Sequence, residues 1–152
     1  MTKIILKTKI KAPIETVFNL SRNIDIHQES ASSSNEKAIA GKTSGLIELN
    51  ETVTWKGKHF GIYLKHSSKI TEMKFPNYFV DIMEEAHFKS FRHEHYFSEE
   101  NGFTTMQDIL IYETPFGILG RFFDSILLKK HMQNFLLRRN AILKNIAENQ
   151  TK

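Results

Sequence analysis

The chain has 152 residues, of which 40% are apolar, 25% charged and none cysteine, and its formal net charge is +4. That length suits one domain with a real core, and the missing cysteines exclude a disulfide scaffold, a thiol nucleophile and a Cys-ligated metal. No apolar run approaches the roughly 18–20 residues of a membrane span, and the opening MTKIILKTKIKAP lacks a secretory apolar core, so a cytoplasmic protein is expected.

Ile4, Leu6, Thr8 and Ile10 alternate with Ile5, Lys7, Lys9 and Lys11, which predicts a first strand with one wet face. Pro13 suits the first position of a helix, and Ile14, Val17, Phe18 and Leu20 have helical spacing for about two turns. Residues 21–45 are the least apolar stretch; they read as a second short helix or loop, then an edge strand around residues 36–40. From residue 45 to about 112 nearly everything reads as strand. Val53 and Trp55 share one side, residues 57–61 turn the chain, and Ile62, Leu64, His66, Ser68 and Ile70 share a face of the next strand. Residues 74–77 break the pattern. Residues 78–83, 88–97 and 103–112 form three further strands, separated by a bend at 84–87 and a four-residue turn at 99–102.

After Gly120 the period changes. Phe122, Phe123, Ile126, Leu127, Phe135, Ile142, Leu143 and Ile146 recur three or four residues apart, predicting a helix of about seven turns, roughly 40 Å long. Its apolar stripe must be buried across the sheet, which gives an α+β fold. The charge gathers here too. Residues 121–152 carry seven Lys or Arg against Asp124 and Glu148, whereas the first 120 carry fourteen against fifteen acidic residues. Lys129, Lys130, Arg138 and Arg139 read either as a solvated helix face with stems covering apolar edges, or as a strip for an acidic partner such as anionic head groups or a carrier protein. Nucleic acid is set aside, because no recognition motif accompanies the strip.

With the elements in this order, Ala12-Pro13, Val17-Phe18, Thr52-Val53-Thr54-Trp55, His59-Phe60-Gly61, Pro76, Phe79, Asp81, His93-Glu94-His95, Asp108, Tyr112, Pro115-Phe116-Gly117 and Arg138-Arg139 make the chain similar to the SRPBCC superfamily, also called START-like or helix-grip. Within it, the chain resembles stand-alone bacterial ligand-binding domains of the polyketide cyclase-like kind, over residues 3–147. The resemblance implies a curved antiparallel sheet of about six or seven strands wrapped round a long C-terminal helix, with two short helices after the first strand. It also implies an apolar cavity between sheet and helix, but no settled reaction and no cofactor. Three features depart from the pattern: Ala86-His87-Phe88 stands where Gly-Pro-Phe is usual, no Phe-Leu-Pro segment follows the first helix, and the glycine-rich loop of the plant allergens is missing.

Phe91, His93, His95 and Phe97 share one face of their strand, and the flanking phenylalanines make it the inner one. On the following strand both faces are partly apolar, and the family pattern places Thr104, Met106, Asp108, Leu110 and Tyr112 inside. A four-residue turn then pairs His93 with Asp108 and His95 with Met106. The His93–Asp108 pair reads as a general acid/base, with Asp108 fixing the tautomer of His93 as a cyclase or dehydratase requires. It reads equally as two buried polar groups that satisfy each other. His93-Glu94-His95 aims two imidazoles the same way, with His66 as a third ligand on another strand; that alone falls short of a convergent set, so no metal is expected. Trp55, Phe79, Phe91, Tyr112 and Phe135 are aromatic lining or plain core. With His66 and His95 they describe a pocket for a hydrophobic small molecule, lipid or polyketide-like. Gly117 and Gly120 read as a hinge at its mouth or as turn glycines. Three functions stand open: a binding or carrier domain, a cyclase or dehydratase using His93 and Asp108, and an interaction protein with a vestigial pocket.

Overall fold

The computed structural model describes residues 1–85 and 87–150. The alternation at the start gives strand β1 (Thr2–Ile10), and the two helical patterns after Pro13 give α1 (Ile14–Ser21) and α2 (Ile24–Ser30). Pro13 stands just before α1 rather than inside it, and Asn23 caps α2 by accepting from the backbone N–H of Asp25 and Ile26. Strands β2 (Lys37–Gly41), β3 (Thr52–His59), β4 (Ile62–Lys74), β5 (Tyr78–Glu85), β6 (Ser90–Glu100) and β7 (Phe103–Glu113) follow. The chain ends in α3 (Gly117–Phe123) and α4 (Lys129–Gln150), joined by a π-helical turn at Asp124–Leu128. The seven strands make one antiparallel sheet in the order β1-β7-β6-β5-β4-β3-β2, and α4 packs on β1, α1 and α2. This is the expected α+β arrangement. Ala86, in the expected bend at residues 84–87, lies outside the described residues.

The β6–β7 turn corrects one expectation. Asn101 and Gly102 both have positive φ, 53° and 75°, and Glu100 faces Phe103. That is a two-residue turn of the primed type, for which Asn-Gly is well suited. The expected four-residue loop is therefore two residues too long, and the pairing slides accordingly: His95 faces Asp108 and His93 faces Leu110. A slip of two preserves parity, so Phe91, His93, His95 and Phe97 still share the buried face with Thr104, Met106, Asp108, Leu110 and Tyr112.

The long helix corrects another. Phe122, Phe123, Ile126 and Leu127 were expected in the buried stripe, but all four are exposed, and Gly120, Asp124 and Leu128 face the protein instead. The π-turn shifts the phase of the helix, and the hydroxyls of Tyr112 and Thr2 both donate to Asp124, making it the residue that is pinned inward. Gly120 is no hinge. A Cβ there would meet the Pro115 carbonyl oxygen at 1.8 Å, so the glycine permits close packing of the helix start.

Two apolar clusters form the core. Ile10, Phe18, Phe97, Met106, Leu143 and Ala147 belong to one; Ile4, Leu6, Phe91, Leu110, Tyr112 and Leu136 belong to the other. On β1, β6, β7 and α4 alike, polar residues sit between the two sets: Thr8, His93 and His95, Asp108, and Arg139 with Asn140. Arg139 is only 4% exposed, so it is not part of a solvated face; of the four cations expected there, Lys129, Lys130 and Arg138 are exposed. No helix among the described residues is long and apolar enough to cross a membrane.

Candidate functional site

The inner face of the sheet and the long helix border a cavity of about 190 Å³, far more than one water needs. Val53, Leu64, Ile70 and Phe79 line it from the strands, and Met132, Phe135 and Leu136 from α4. Trp55, the one tryptophan, faces it with its ring 4.3 Å from that of His27.

The chain has seven histidines, and all seven border this cavity. Near β3 and β4 they gather round Glu36. His27 Nε2 lies 3.0 Å from Glu36 Oε2, His66 Nε2 lies 3.8 Å from Oε1, and His59 Nδ1 meets His131 Nε2 at 3.1 Å. Burial pushes the Glu36 carboxyl up, but the hydrogen bond with His27 and the neighbouring imidazoles outweigh it and hold the group below the usual glutamate range. Burial likewise pushes the His66 imidazole down, although Glu36 partly offsets it.

The other group lies between the two core clusters. Asp108 is fully buried and accepts from Asn140 Nδ2 at 2.6 Å, His93 Nε2 at 3.1 Å and Arg139 Nη1 at 3.3 Å. His95 Nδ1 also lies 3.0 Å from Asp108 Oδ1, though off the line of a hydrogen bond, while its Nε2 is 3.0 Å from Asp81 Oδ2. Arg139 completes its contacts on the Ser21 carbonyl and Asn140 Oδ1. Burial pushes His95 down, but the carboxylates at its two nitrogens outweigh that and raise it; burial and the neighbouring His95 push His93 down. Burial opposes ionisation of Asp108, yet His93, His95 and Arg139 hold it well below the usual carboxylate range. Asp81 and Asp108 thus lie against His93, His95 and Arg139, so the buried carboxylates are hydrogen-bonded and paired.

No protein-family model matches the chain, and no curated protein matches it. Solved structures do. TTHA0849 from Thermus thermophilus superposes with a TM-score of 0.80 at 18% identity, covering 99% of this chain and 100% of that one. A START superfamily protein from Mycobacterium smegmatis gives 0.73 at 12% identity, covering 97% and 98%. The chain has the START-like helix-grip fold. Ginseng major latex-like protein 151 from Panax ginseng shares it, with a TM-score of 0.71 at 15% identity over 96% and 97% of the two chains.

Of the residues expected in the helix-grip cavity, Trp55, His66, Phe79, Phe91, His93, His95 and Phe135 border it. Tyr112 does not: it is buried in the second core cluster, its hydroxyl committed to Asp124, and burial with that bond pushes its ionisation well above the usual range. Asp108 stands behind the rings of His93 and His95, held from the helix side by Arg139 and Asn140. His66, considered as a third ligand beside His93 and His95, lies instead against Glu36. Asp81 and Arg139 were missed as site residues, though both left a sign. Asp81 alternates with Phe79 and Met83 on β5, and Arg139 lies four residues from both Phe135 and Leu143 on the helix.

The Glu36 wall carries a pH dependence. A carboxyl whose folded pKa is depressed adds stability above its unfolded value and loses it as pH falls through the folded one. His66, also depressed, acts in the same direction, since the unfolded imidazole takes up a proton first. Stability should therefore fall with acid, and Glu36→Gln should fall less steeply than the wild type between about pH 5 and pH 3. Urea midpoints across that range measure it; parallel curves would remove Glu36 as a contributor.

Proposed function

We propose that the protein, a cytoplasmic one, binds a small, largely apolar molecule with a hydrogen-bonding end in the helix-grip cavity. The observation that carries this reading is a cavity with largely apolar walls bordered by all seven histidines, one group near Glu36 and another at Asp81 and Asp108. Apolar walls suit a lipid or polyketide-like body, and imidazoles, which both donate and accept, suit a hydroxyl, keto or carboxyl oxygen at its end. Phe60 borders the cavity and packs 5.6 Å from Phe123, beside the exposed Phe116, Ile118, Leu119 and Phe122, so an apolar rim adjoins it. The open volume weighs against a vestigial pocket.

Trp55 supplies the test. Anilinonaphthalene sulfonate should bind one per chain and accept energy from Trp55, and Ser68→Phe, which places a ring in the cavity, should weaken it at least about tenfold. Retained far-UV circular dichroism would show that the variant folds; unchanged affinity in a folded variant would place the probe elsewhere. Native mass spectrometry of protein taken from its own cells identifies a co-purifying occupant.

One observation favours a second reading, a cyclase or dehydratase: His93 borders the cavity with its Nε2 held 3.1 Å from Asp108. Asp108 fixes the tautomer there, leaving Nδ1 as the base. If the natural occupant is never turned over by the wild type, and His93→Ala binds it equally well, this reading fails. Lys129, Lys130 and Arg138 remain as the exposed cations on which an acidic partner would act.

A further inference from the structure

We propose that Asp81, His93 and His95 form a site for one divalent transition-metal ion of the zinc class, open towards the cavity. His93 and His95 project from the same face of β6, and Asp81 stands opposite His93 on β5. One donor atom of each lies within 4.8 Å of the others. Asp81 Oδ2 is 3.0 Å from His95 Nε2 and 4.0 Å from His93 Nδ1. Metal–ligand bonds of about 2.0–2.1 Å in tetrahedral geometry set neighbouring donors about 3.3 Å apart, between those two distances.

Asp108 supplies an independent argument. It touches the remaining nitrogen of each ring, His93 Nε2 at 3.1 Å and His95 Nδ1 at 3.0 Å. The nitrogens left over are the two that face Asp81. Metal-binding histidines characteristically lean on a carboxylate through the ring nitrogen that does not ligate, which fixes ring direction and basicity. Here Asp108 hydrogen-bonds His93 and lies beside His95 Nδ1, and Asn140 and Arg139 hold it in turn. Phe79 stacks on His95 at 4.2 Å, so that ring has little freedom to turn.

Two imidazoles and one carboxylate favour zinc-class ions over magnesium or calcium, which prefer all-oxygen sites. Asp81, His93 and His95 all border the cavity, so positions not taken by protein face its contents. An oxygen-bearing end of a cavity ligand would fill one of them. Binding of the ion itself does not depend on the cavity reading above.

The test uses the full chain, stripped of metal by chelator, with no organic ligand present. Calorimetric titration with Zn²⁺ should give one ion per chain, and Co²⁺ should give visible bands of a four- or five-coordinate N/O site. Asp81→Asn and His93→Ala should each weaken Zn²⁺ by about a hundredfold or more, and His66→Ala by less than about threefold. Asp81→Asn keeps side-chain shape, so it decides the matter if His93→Ala does not fold. No binding by the wild type at millimolar Zn²⁺ would overturn the site. So would equal affinity in Asp81→Asn, or a loss confined to His66→Ala.

Discussion

Replacing Asp108 with alanine should cost about 3–5 kcal/mol of folding stability. Asp108 is fully buried and, among the described residues, is the one carboxylate within bonding reach of Arg139, whose side chain is itself only 5% exposed. Without it Arg139 keeps the Ser21 carbonyl and Asn140 Oδ1, both neutral, and Asn140 loses its 2.6 Å acceptor. A buried cation left with neutral partners is the costly outcome, because the guanidinium cannot shed its proton. Asp108→Ala combined with Arg139→Met should therefore be more stable than Asp108→Ala alone, since both charges leave together. Urea unfolding at neutral pH with chelator present measures both. A loss under about 1 kcal/mol in the single variant would show that Arg139 reaches water or another acceptor.

Phe18→Ala should cost a similar amount, about 3–5 kcal/mol. Phe18 is fully buried on α1 and meets Phe75, Phe79 and Phe97 edge-on at 5.2, 5.4 and 5.2 Å. Its removal deletes transfer free energy and three ring contacts, and leaves a void that α1 can close only by shifting. Phe79 also stacks on His95 and borders the cavity, so the loss should reach the site, and probe affinity should fall along with stability. Phe18→Leu should lose less than about 1.5 kcal/mol, being closer in volume. Equal stability of the alanine and leucine variants would contradict this account of the core.

Much of the architecture was legible because parity and period are coarse signals that survive local errors. The buried faces of β6 and β7 follow from alternation, and a two-residue slip at Asn101-Gly102 left them unchanged. The same slip moved His95, not His93, opposite Asp108; yet β strands are close enough for His93 to reach it diagonally. The helix misled for a different reason. Four apolar residues before Leu128 looked like the natural stripe, but a π-turn and two hydroxyl partners turn Asp124 inward and leave those four in solvent. Arg139 was read as solvated because isolated charges belong outside, a rule that a fully buried partner such as Asp108 suspends. Parity from Phe79 places Asp81 on the inner face of β5, just as parity from Phe91 places His93 on that of β6.

The gathering of all seven histidines on one cavity makes the molecule its own reporter. Their ring carbon protons resonate downfield of most other signals once the amides are exchanged into heavy water. A one-dimensional proton spectrum of unlabelled protein therefore carries seven imidazole Cε1–H signals, one from each histidine at the cavity wall. An occupant that touches the Glu36 side shifts a different subset from one that touches Asp81, so once single histidine substitutions assign the signals, one titration of unlabelled protein locates it.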